Sequence, residues 1–101
     1  MPRKSQVDPR IIEVYRTIGE NIIRKRGTMT QDDLAKAARL ARGTIVAAEA
    51  GQGCSLESLI QIADALGCKP ADLFITDTER KEVSYQHIQL MELMKKAFTG
   101  G

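Results

Sequence analysis

The sequence predicts an all-α protein, and three observations carry that expectation. Apolar residues recur at three- and four-residue spacing along most of the chain. Cap residues and glycines break it into short segments at regular intervals. No stretch alternates apolar and polar residues as a half-buried strand does, and no internal repeat is evident. With 101 residues the chain suits one compact domain with a modest core. Aromatics are 4% of the sequence and Trp is absent, so the core must be aliphatic.

Residues 1–7 are polar and are expected to form a flexible N-terminus. In "DPRIIEVYRTIGENIIRKRG" Asp8 can cap a helix, and Pro9 suits its first turn. Ile11, Tyr15, Ile18 and Ile22 share one face, widened by Val14. Gly27 is a stop signal after Arg24, Lys25 and Arg26, read as a solvated helix end. "TQDDLAKAA" places Asp33 three residues after Thr30, close to a capping box, with Leu34, Ala35 and Ala38 on the inner face.

"ARGTIVAAEAG" follows, with Ile45 and Ala48 inward and Gly51 as its end. Ser55 caps "LESLIQIADAL", whose predicted inner face is Leu56, Leu59, Ile60, Ala63 and Leu66, and Gly67 ends it. "KPADLFI" is a short helical turn with Leu73 and Phe74 inward. Thr76 to Lys81 is polar and reads as a connector. "EVSYQHIQLMELMKKAF" is a final helix. The organisation is then 1–7, a domain over 8–76, and a connector plus C-terminal helix over 77–101.

Charge is uneven. Residues 1–50 carry ten Lys/Arg and six Asp/Glu; residues 51–101 carry five and seven. The N-terminal half is the better partner for a polyanion. Cys54 and Cys68 lack metal-ligand spacing, and the single His87 is remote, so neither a metal nor a cofactor is expected. No nucleophile, histidine and acid set or phosphate loop points to an enzyme. No signal peptide or membrane span is evident, so a cytoplasmic protein is expected.

The small residues Ala35, Ala38 and Ala48 let the two central helices cross closely. Gln31 stands at a helix start, where unpaired backbone N–H groups favour phosphate. With Ile45 and Ala48 inward, Arg42, Gly43, Thr44 and Ala47 face outward.

The ordered set Thr30, Gln31, Leu34, Ala35, Ile45, Glu49, Gly51, Ser55, Leu56, Leu66, Gly67 and Leu73 resembles the lambda-repressor-like helix-turn-helix family of Cro/Xre type. The resemblance covers roughly Ile18 to Phe74. It implies a five-helix domain, to which a C-terminal amphipathic helix is added, with Arg42 to Ala50 as the recognition helix. It also implies double-stranded DNA as partner. Arg39 stands where the family usually has Gly, Ala41 where it has a capping Ser, Thr or Asn, and Cys54 where Pro is frequent. Gly43 replaces a hydrogen-bonding reader such as Gln.

The expected DNA-binding residues are Thr30, Gln31, Arg42, Gly43, Thr44, Val46 and Ala47. Arg42 can donate two bonds to guanine, Thr44 can reach phosphate or a thymine methyl, and Ala47 and Val46 can touch thymine methyls. Glu49 reads as structural, because its charge repels phosphate. The final helix has an apolar stripe of more than about half its circumference, wider than one contact needs. Val83, Leu90, Met94 and Phe98 are therefore expected to hold a homodimer. The functional expectation is a sequence-specific transcriptional regulator acting as a homodimer on a palindromic operator. The alternative is a protein-interaction module, antitoxin-like or coactivator-like, that holds a partner protein.

Overall fold

The computed structural model describes the backbone of residues 8–99, and their side chains except those of residues 83–85, 98 and 99. The frayed N-terminus expected over residues 1–7 lies outside the described residues. Five α-helices follow in order: α1 (Pro9–Arg26), α2 (Gln31–Ala38), α3 (Arg42–Glu49), α4 (Leu56–Leu66) and α5 (Asp77–Thr99). A 3₁₀ turn at Pro70–Phe74 lies between α4 and α5. There is no strand among the described residues, so the fold is all-α.

The helix ends follow the local chemistry. The Asp8 carboxylate accepts from the Arg10 backbone N–H and caps α1. Hydrogen bonds from Arg10 hold that carboxyl below its ordinary value. Thr30 Oγ1 accepts from the Asp33 N–H, and the Asp33 carboxylate accepts from the Thr30 N–H, which completes the capping box. Ser55 caps α4 through the Ser58 N–H, and Gly67 closes it in the left-handed region.

The α2–α3 turn departs from good local chemistry at two positions. Arg39 closes α2 at φ 59°, ψ 42°, a left-handed conformation that costs a side-chain-bearing residue about 1–2 kcal/mol. It is tolerated because the Leu40 N–H bonds to the Ala35 carbonyl and the Arg39 N–H to that of Lys36. Ala41 is the N-cap of α3 and offers no side-chain acceptor. Ala41→Ser is expected to stabilise the domain by about 1 kcal/mol. Arg39→Gly should add a smaller gain, since the greater freedom of glycine in the unfolded chain offsets part of the relief. Thermal unfolding checks both, at about 4–8 °C in Tm per kcal/mol.

The core gathers Ile18 and Ile22 from α1, Leu34, Ala35 and Ala38 from α2, and Ile45 and Ala48 from α3. Leu59, Ile62 and Ala63 from α4 and Leu73 from the 3₁₀ turn complete it. Gly19 explains how closely α1 meets α3. A Cβ there would lie 2.7 Å from the carbonyl oxygens of both Ala48 and Glu49, so any side chain must push the helices apart. Core assignments in three elements need correction. Leu56 and Ile60 are exposed and Ile62 is fully buried, because the α4 face is set by contact with both α2 and the 3₁₀ turn rather than by one seam. Phe74 is exposed, since the 3₁₀ turn points only Leu73 inward. Ile11 and Val14 are exposed, because α1 extends beyond the core at its N-terminal end.

The expected connector is also corrected. Thr76 to Lys81 is not a polar link; α5 begins at Asp77. Thr76 Oγ1 accepts from the Glu79 N–H, the Glu79 carboxylate accepts from the Thr76 N–H at the long distance of 3.4 Å, and Arg80 pairs with Asp77. Buried Asn21 ties this start to α1. Its Nδ2 donates to the carbonyls of Leu73 and Ile75, each at 2.8 Å, and its Oδ1 accepts from Arg24 and Arg80. Beyond that, α5 stands away from the domain. The radius of gyration, 17.9 Å, exceeds the roughly 13 Å of a compact chain this long.

Candidate nucleic-acid interface

The N-terminus of α2 and the outer face of α3 form one surface. Ile45 and Ala48 are buried, so α3 turns Arg42, Gly43 and Val46 to solvent, with Thr44 and Ala47 half-buried. Thr30 is exposed, but its hydroxyl is engaged in the capping box. Gly43 is not required by packing: its φ is ordinary and a Cβ there would meet nothing within 4 Å. The protein leaves open space in front of that backbone.

The first two residues of α2 each reach α3, toward opposite ends of it. Gln31 Nε2 donates to Glu49 Oε1 at 2.9 Å, near the C-terminal end of α3. Arg42 Nε stands 3.5 Å from Asp32 Oδ1, at the N-terminal end. Sequence reading missed Asp32. A signal was available, since α2 opens with two acids, Asp32 and Asp33, and the capping box needs only one.

Glu49 is structural, as expected, but its partners correct the reading of α1's last turn. Arg26 is not a solvated helix end. Its Nε and Nη2 donate to the Glu49 carboxylate at 2.7 and 3.2 Å, and its Nη1 donates to the Met29 carbonyl at 2.8 Å. The Glu49 side chain is only 5% exposed. Arg26 therefore neutralises the one acid of α3, which would otherwise oppose a polyanion beside it. Arg24 likewise is engaged, with Asn21. Gln31 keeps its side-chain oxygen and one amide hydrogen beyond the bond to Glu49.

The remaining expectations fall as follows. Leu90 and Met94 are exposed on α5, together with Ile88, Met91 and Leu93, so an apolar stripe lies open along that helix. The side chains of Val83 and Phe98 lie outside the described ones. Cys54 and Cys68 are free and half-buried, and burial pushes both thiols above their ordinary value. Among the described residues no helix is long and apolar enough to cross a membrane.

One comparison with known proteins gives a match. Residues 20–79 match the family model of the Cro/C1-type HTH DNA-binding domain, which is more than half of the chain. No curated protein and no solved structure matches it. The matched span runs from the middle of α1, through the capped start of α2 and the outward face of α3, into the first turn of α5. The chain belongs to the Cro/C1-type helix-turn-helix family of DNA-binding domains.

Proposed function

We propose that this DNA-binding regulator is sequence-specific and acts as a homodimer on a palindromic operator in double-stranded DNA. The observation that carries the reading is the surface shared by α2 and α3. An exposed Arg42 and an open backbone at Gly43 sit beside a capped helix start whose Gln31 is held in place. In this reading α3 enters the major groove. Arg42 donates to guanine O6 and N7, the Gly43 backbone approaches the bases, and Val46 and Ala47 meet thymine methyls. Thr30, Gln31 and Thr44 contact phosphates and fix the register. The open stripe of α5 supports the dimer, because a solvated chain rarely leaves so continuous an apolar face uncovered.

Selection of bound sequences from random duplex DNA tests this directly. The expected product is a palindrome with half-sites about one helical turn apart. On that site Arg42→Ala should cost about 1–3 kcal/mol and relax the preference at one base pair, while Gln31→Ala should weaken all sequences more evenly. Titration at moderate salt measures both. If neither variant differs from the parent, the assigned face is wrong. Exposed Val46 supports the second reading, a surface for a partner protein. Binding that ignores salt concentration would favour it.

A further inference from the structure

Asp32 extends the DNA-binding reading and rests on it. Its carboxylate lies beside Arg42 on the surface that would meet DNA, where an uncompensated negative charge opposes phosphate. An acid in the first turn is favourable to α2 itself, but that does not explain its reach across to α3. Asp33 already serves the cap, whereas Asp32 approaches Arg42 at 3.5 Å. Both side chains are open to solvent, at 62% and 64% exposure, so no burial forces the pair together.

The atoms involved matter. The carboxylate stands nearest to Nε of Arg42, which leaves the two terminal nitrogens for a two-donor contact with guanine O6 and N7. A long side chain drawn to one side through its Nε edge, even weakly, loses less freedom when it binds a base. The same carboxylate opposes the rival use of Arg42. Swinging onto a phosphate would break the pair, or bring the phosphate toward a negative charge. Base contact keeps the pair; phosphate contact gives it up. We propose that Asp32 is a specificity-determining residue, which holds Arg42 for guanine and penalises its contact with the backbone of any other sequence.

The test compares the parent with Asp32→Ala, each with and without Arg42→Ala, on three duplexes. These are the selected palindrome, the same palindrome with the Arg42-dependent guanine replaced by adenine, and a scrambled duplex of equal length. Asp32→Ala should bind the scrambled duplex about two- to fivefold more tightly. Its discrimination between guanine and adenine should fall by a similar factor. In the Arg42→Ala background Asp32→Ala should leave that discrimination unchanged. Thermal unfolding of each variant confirms that this exposed position leaves the fold intact. Equal tightening on all three duplexes would reduce Asp32 to simple repulsion and overturn the proposal, as would no change on any. A parent that prefers guanine through Arg42 but ignores Asp32 sinks this inference alone. A parent that binds no duplex sinks the DNA reading with it.

Discussion

Arg26→Ala is expected to cost about 3–5 kcal/mol of folding stability, the loss typical when one partner leaves a buried ion pair. The Glu49 carboxylate, only 5% exposed beside Arg26, would be left with a single neutral hydrogen bond from Gln31 in place of three donors. Small domains hold roughly 5–15 kcal/mol in total, so much of that margin would go. Replacing both partners removes the stranded charge. Arg26→Met with Glu49→Met should therefore recover most of the stability. Urea unfolding checks the pair, with a shifted midpoint and an unchanged slope. A loss under about 1 kcal/mol for Arg26→Ala would mean that the pair behaves as a solvated surface bridge.

Replacing Leu90 and Met94 by Glu is expected to convert a dimer into a folded monomer. Both side chains are about half exposed in the single chain, so neither supports the domain's own core. A buried Leu or Met at an interface contributes roughly 1.5–3 kcal/mol, and the symmetry of a dimer counts each residue twice. Since each is already about half covered in the single chain, the four side chains then supply roughly 3–6 kcal/mol of gross burial. That is a large share of the roughly 8 kcal/mol that micromolar affinity needs, and the rest of the stripe must add the remainder. Sedimentation at several concentrations gives the mass of parent and variant. The monomer should keep its helical signal and weak half-site binding, and lose most affinity for the palindrome. A parent that remains monomeric at high micromolar concentration, on DNA as well as free, rules out α5 as the dimer element.

Local chemistry was the legible part of this chain. Asp8, Thr30 with Asp33, Ser55 and Gly67 announce their helix ends because a cap needs only its neighbours. Arg39 and Ala41 were legible as departures, and both sit where the backbone would rather have another residue. The start of α5 was misread although Thr76 and Glu79 carry a capping box, because polarity outweighed spacing. Ile60 and Ile62 were exchanged because a helix touched on more than one side has no single stripe. The pairs Gln31–Glu49, Arg26–Glu49 and Asp32–Arg42 join residues 10 to 23 apart in sequence, and no local pattern encodes which charge meets which. The outward face of α3 was legible from Ile45 and Ala48; what restrains its side chains was not.

Asn21 is small, but it sits at the fulcrum of the molecule. Its four hydrogen bonds clamp the place where the rod of α5 leaves the globular body. The rod has 23 residues, hence a length of about 34 Å. At that length a tilt of about 10° at the clamp swings the far tip by about 6 Å. In a pair of chains joined along their rods the same leverage acts in reverse. In the proposed dimer the angle held by one buried amide would set how far apart the two α3 helices stand, and its stiffness would set which gaps between half-sites the pair can span.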